Sequence, residues 1–138
     1  MQTDSLTRTQ ILSTRTRHFA LAIIRLCREE LGPALDHRII ESQLLRSATG
    51  LAANYRAAIR ASSRREFVAR IRACVEEADE AALWLDMLAE TELVRPDAIA
   101  AHRDEARQLT AIMTASHKTA RKRLTSNHAP PLQPGGPG

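Results

Sequence analysis

Apolar residues return every three or four positions along most of the chain, which is the spacing of a helix face and not of a strand. Leu12, Thr16, Phe19, Ile23 and Leu26 make the first stripe, and Ala22 and Cys27 widen it. Arg15, Arg17, Arg25 and Arg28 fall on other faces of the same helix. Gly32-Pro33 ends it, because Gly suits the left-handed cap and Pro cannot continue a helix. The ten residues at the start are polar and predict a frayed beginning, with regular spacing from about Leu12.

A second helix is expected from Asp36, as N-cap, to about Ala61. Its stripe is Ile40, Leu44, Ser47, Leu51, Asn54 and Ala58. Small residues crowd its middle (Ser47, Ala48, Gly50, Ala52, Ala53) and would let another helix come close. Gly50 there costs about 1 kcal/mol relative to Ala. Ser63-Arg64-Arg65-Glu66 then reads as a capping box, with Ser63 as N-cap and Glu66 reaching back to its amide. The third helix is the clearest. Phe67, Ile71, Cys74, Ala78, Ala81, Leu85 and Leu88 hold one stripe, and Val68, Val75 and Ala82 a second row beside it.

Thr91 to Arg95 is a turn, and Pro96 fits the first turn of a fourth helix, where its missing N–H does no harm. Ile99, Ala106, Leu109, Met113 and Ala120 carry a weaker stripe to about Leu124. Residues 125–138 are rich in Pro and Gly and predict a disordered tail. Four amphipathic helices with short links predict an all-α, antiparallel, up-down-up-down four-helix bundle over residues 1–124. The wide stripe of helix three and the small-residue seam of helix two predict an oligomer, since soluble monomers avoid exposing such surface.

Composition agrees: 43% of the 138 residues are hydrophobic and 3% aromatic, a balance that favours helix over strand. Cys27 and Cys74 lie on apolar faces, without the spacing of a zinc site, and read as buried thiols. No secretory leader or membrane-length apolar run is legible, so the expectation is a cytoplasmic protein with no membrane partner. Net charge is +4, and of the 20 basic residues only Lys118 and Lys122 are lysines. Arginine suits bidentate phosphate contacts, although a GC-rich coding bias also enriches it.

Two basic patches follow from the spacing. One comprises Arg56, Arg60, Arg64, Arg65, Arg70 and Arg72, across the end of helix two and the start of helix three. The other runs from His117 to Arg123 and holds Lys118, Arg121, Lys122 and Arg123. Both are candidate nucleic-acid contacts, with solvated faces as the bland alternative. Asn54 reads as a polar core residue that fixes register. The acids Glu76, Glu77, Asp79 and Glu80 read as ion-pair partners for Arg46, Arg56 or Arg60 of the facing helix, so that Glu77→Ala is expected to destabilise the fold or the assembly. A di-iron bundle needs two Glu-x-x-His motifs, and the sequence has none. Tyr55 and Trp84 read as residues of a core edge or an interface, and two isolated rings fall short of a single-strand stacking platform. The scattered histidines form no triad with Ser or Cys, so no cofactor and no catalytic residue is expected.

Certain motifs carry a resemblance. They are Gln43-Leu44-Leu45-Arg46-Ser47; Gly50-Leu51-Ala52-Ala53-Asn54-Tyr55-Arg56; Ser62 or Ser63 followed by Glu66-Phe67; and Glu77-Ala78-Asp79-Glu80 with Trp84-Leu85. In this order, across about residues 15–124, they resemble the bacterial four-helix-bundle proteins of intervening sequences in ribosomal RNA genes, the 23S rRNA-intervening sequence protein family. Ala57 and Ala81 depart from the family's usual acid and Thr, and Ala57 removes a salt-bridge partner for an Arg. The resemblance implies a homopentameric ring without enzymatic activity. It also implies a likeness in fold to the accessory proteins of diversity-generating retroelements, basic pentamers that bind nucleic acid and a reverse transcriptase. The expected function is therefore a non-enzymatic oligomer that binds structured RNA or DNA through its Arg-rich patches, as accessory to a nucleic-acid enzyme such as a reverse transcriptase. The alternative is a protein–protein scaffold with no nucleic-acid role.

Overall fold

A computed structural model describes residues 2–128, with side chains described from 8 to 126. Four helices follow one another: α1 (Gln2–Glu30), α2 (Leu35–Ile59), α3 (Arg64–Glu90) and α4 (Pro96–His128). Each neighbour in sequence is a neighbour in space, and α1 closes the square by a thinner seam with α4. The arrangement is the antiparallel up-down-up-down bundle that the periodicity predicts. Thr9 of α1 lies with Ser62 before α3 and Ala120 of α4 at one end, whereas Leu26 of α1 lies with Ala98 of α4 at the other.

The ends of the helices differ from expectation for local reasons. α1 is helical from Gln2, before its stripe begins. α2 starts one residue after Ala34, which supplies no side-chain cap. Asp36 instead sits in the first turn, where its charge suits the helix dipole. The α1–α2 turn is closed by the Gly32 N–H donating to Nδ1 of His37 at 2.8 Å. Ser63 does cap α3, accepting from the Glu66 N–H at 3.1 Å. Glu66, however, returns to Ser62 and not to Ser63, accepting from both its N–H and its hydroxyl at 2.9 Å. These bonds hold the Glu66 carboxyl below the usual carboxylate range. α4 runs on through residues 125–128 of the expected tail, and residues 129–138 lie outside the described residues.

The core is the sum of the four stripes. Ile23, Leu44, Leu51, Ile71, Leu85, Leu88, Ile99, Leu109 and Met113 are fully buried. Burying each such side chain contributes about 1.5–3 kcal/mol, set against the conformational entropy of ordering the chain. Thr16 and Ser47, the buried polar residues, turn their hydroxyls back to the helix carbonyls of Ser13 and of Gln43 and Leu44. Burial pushes the thiols of Cys27 and Cys74 up to about 12, so neither is a nucleophile at neutral pH. The second row of α3 is half-buried, and Val68 lies in grooves shared with α4. Part of the stripe's extra width is therefore taken up within the chain.

Two polar fastenings join α4 to its neighbours. Arg15 of α1 grips Glu105 with both ends of its guanidinium, Nε to Oε2 at 3.0 Å and Nη2 to Oε1. Asp86 of α3 accepts from Arg103 at 2.9 Å and Arg107 at 3.2 Å.

Candidate nucleic-acid interface

The bundle topology brings the two basic patches of the sequence to one end of the molecule. α2 stops at Ile59, Ser63 restarts the chain as α3 in the opposite direction, and α4 finishes beside that start. Arg56 and Arg60 from the end of α2, Arg64 and Arg65 from the first turn of α3, and Lys118, Arg121, Lys122 and Arg123 from the end of α4 therefore share one end of the molecule.

Three open grooves show how the helices contribute. Arg64 and Arg123 line one together with Ser62, Ser63 and Phe67. A second, of about 760 Å³, runs between α3 and α4 and is lined by Arg65 and Arg72 on one wall and His117 and Arg121 on the other, with Glu76 as its acid. Along α4 itself, Lys118 and Lys122 join His117 and Arg121.

All ten cations named from the sequence are exposed, so none needs a partner to offset desolvation. Among the described residues the ion pairs within 4.0 Å use Arg15, Arg95, Arg103 and Arg107, and none uses these ten. The acids in those pairs are Glu30, Asp86, Asp97 and Glu105. Arg70 stands apart from the grooves and points at Asn54, its Nη1 lying 3.5 Å from Oδ1.

The residues expected to form a polar core behave differently. Asn54 is half-buried, not in the core, and donates from Nδ2 to the Gly50 carbonyl of its own helix at 2.9 Å. Tyr55 takes the core position beside it, only 5% exposed, and hydrogen-bonds with Thr9. A helix turns about 100° per residue, so the step from Leu51 to Tyr55 keeps to the buried face and Asn54 falls to its edge.

The expected ion pairs between the acidic cluster and Arg46, Arg56 or Arg60 do not form. Glu77 has no cation within 4.0 Å, and Arg46 acts on it only from a distance. Desolvation by burial, and then the nearby charges of Glu80 and Glu76, raise the Glu77 carboxyl above its ordinary value. Its carboxylate lies across Gly50: a methyl carbon placed on Gly50 would fall 2.9 Å from Glu77 Cδ, with Oε2 closer still. Glu80 accepts from Nε1 of half-buried Trp84 at 3.4 Å, a contact within one helix turn. Among the described residues no group of His, Cys, Asp and Glu is arranged to hold a metal ion.

Sequence reasoning missed the α1–α4 clamp and the joining of the patches. The clamp pairs residues 90 positions apart, and no periodicity reports on such a pair. The joining follows from antiparallel order, which was legible, but placing His117 and Arg121 opposite Arg65 needs the helix rotation.

No helix among the described residues is long and apolar enough to cross a membrane. No family model and no curated protein matches the sequence. Among solved structures, a crystallised protein of unknown function from the S23 ribosomal protein family of Bacteroides thetaiotaomicron superposes with a TM-score of 0.70. It is 23% identical, over 80% of this chain and 97% of that one. The chain thus has the four-helix fold of an S23 ribosomal protein, the 23S rRNA-intervening sequence family whose motifs its own sequence resembles.

Proposed function

We propose that this protein is a non-enzymatic, oligomeric helical bundle that binds the phosphate backbone of structured RNA or DNA through its basic end. The observation that carries this reading is the gathering of unpaired cations from three helix ends at one end of the molecule. Arg64, Arg65, Arg72, Arg121 and Arg123 line adjoining grooves there. Such a surface lowers its free energy most by replacing the counterions of a polyanion. The partner in keeping with the family resemblance is a nucleic-acid enzyme such as a reverse transcriptase, which the bundle would assist by holding template or product.

The test is size-exclusion chromatography with light scattering at low salt, reading absorbance at two wavelengths. Excess nucleic-acid absorbance that salt removes supports the reading. A particle with clean protein absorbance at low salt, which then fails to take up added RNA or DNA, overturns it.

A second reading rests on a different surface. Leu35 and Ile39 on α2 are 75% and 53% exposed, and Leu83 and Met87 on α3 are 48% and 40% exposed. Each pair is one helix turn apart, and the antiparallel packing sets the start of α2 beside the end of α3. These exposed apolar side chains, with Trp84 following Leu83 on α3, suit a protein contact. It fits self-assembly and equally a scaffold that binds another protein. A pull-down partner that survives nuclease treatment and is lost on Leu83→Glu would favour the scaffold.

A further inference from the structure

The chemistry of the basic end also bears on which nucleic acid it takes, an inference that rests on the reading above. Proteins that hold single strands combine cations with free aromatic faces on which unstacked bases lie. This chain has four aromatic residues in all. Phe19 and Tyr55 are buried, Trp84 bonds Glu80 away from the grooves, and half-buried Phe67 lines the end groove with Arg64 and Arg123 but not the α3–α4 groove. The side chains lining the α3–α4 groove beyond its three arginines are Val68, Ala69, Glu76, His117, Leu124 and Thr125. No Asn or Gln lines any of the three basic grooves to read an adenine edge. What the α3–α4 groove offers a nucleic acid is chiefly charge, with one hydroxyl and the His117 imidazole and no Phe, Tyr or Trp face.

A surface that reads phosphate alone gains most where phosphate is densest and stiffest. A duplex carries one negative charge per about 1.7 Å of axis, twice the axial density of one strand, and releases more counterion per contact. The cations are spaced to follow such a backbone: Arg65 and Arg72 stand seven residues apart on α3, about 10 Å at 1.5 Å per residue, with Arg121 on the facing wall. We infer that the α3–α4 groove, with Arg65 and Arg72 on one wall and Arg121 on the other, straddles the sugar-phosphate backbone of a double-stranded nucleic acid without regard to its sequence.

The experiment is fluorescence anisotropy at low salt with a labelled oligonucleotide of mixed sequence. The oligonucleotide is presented as a single strand, annealed to its DNA complement and annealed to its RNA complement, with a scrambled sequence alongside. The expected result is duplex binding tighter by about tenfold or more, equal for the scrambled sequence. Combined Arg65→Ala and Arg121→Ala should erase most of that preference while an unchanged melting curve shows the fold intact. The two complements distinguish a DNA duplex from a hybrid as the preferred form. Equal or tighter binding of the single strand overturns the duplex inference and leaves the nucleic-acid reading standing. A full duplex preference in the Arg65/Arg121 variant overturns the groove assignment. No binding of any form overturns both.

Discussion

The Glu77 carboxylate lies across the backbone of Gly50, in the seam between α3 and α2. The small residue that costs helix propensity thus makes room for a half-buried acid of the cluster. Gly50→Ala gains about 1 kcal/mol of helix propensity. Its methyl meets only the flexible end of Glu77, which can swing away, so stability should change by less than about 1 kcal/mol. Gly50→Leu cannot be accommodated so, and overpacking of the seam should cost about 1–3 kcal/mol in chemical denaturation. Equal stability of the two variants would show that the seam is open.

Glu77 itself should make stability depend on pH. Burial raises its carboxyl in the folded chain, so the folded state holds that proton more tightly than the unfolded chain does. Its unfavourable contribution is absent below the unfolded value, grows as pH rises towards the folded value, and is complete above it. Glu77→Gln should therefore melt higher than the parent near neutral pH and match it in acid. The sequence alone suggested the opposite sign for loss of this side chain, through ion pairs that the structure does not contain. A Glu77→Gln variant less stable at neutral pH would restore that earlier view.

Arg15 and Glu105 close the thinnest seam of the bundle. The pair is two-pronged and about 30% exposed on each side, so its coupling should reach about 1 kcal/mol, the upper range for surface pairs. A double-mutant cycle with Arg15→Ala and Glu105→Ala measures this directly, and the coupling should shrink in high salt. Additive effects of the two changes would mean that this pair does not hold α1 to α4.

Glu92, in the α3–α4 turn, has a φ of 60°. The Leu93 N–H beyond it reaches back to the Leu88 carbonyl at 3.1 Å, so the left-handed residue closes the end of α3. Glycine adopts that conformation without a Cβ clash, and Glu92→Gly should stabilise the fold by roughly 1 kcal/mol. A lower melting temperature would indicate a contact of Glu92 that offsets the strain.

The bundle was legible because its information is local. The stripes of Phe19-Ile23-Leu26 and Ile71-Cys74-Ala78-Ala81-Leu85 name their own buried faces, and Gly32-Pro33 and Ser63 mark where helices stop and start. Features that depend on rotation between helices were not legible. Asn54 and Tyr55 are adjacent in sequence, and one step of about 100° decides which is in the core. The acidic cluster faced arginines in any antiparallel register, yet whether Glu77 meets Arg46 or Gly50 depends on a few ångströms along the seam. The basic residues were all recognised as candidates from sequence, since exposure of Arg and Lys is the ordinary case. Their union into one end is a property of the assembled bundle and not of the spacing along any one helix.

The central claim is that one end of the molecule, and not its overall charge, binds phosphate, and the salt dependence of affinity tests it most directly. Log affinity against log salt is measured by anisotropy for the parent, for Arg65→Ala/Arg72→Ala/Arg121→Ala, and for Arg25→Ala/Arg28→Ala. The last two cations are exposed on α1 towards the opposite end. The account predicts a steep parent slope, a loss of about 0.9 per cation removed from the basic end, and no change on removing Arg25 and Arg28. A flat parent slope, or equal losses from both ends, would contradict it.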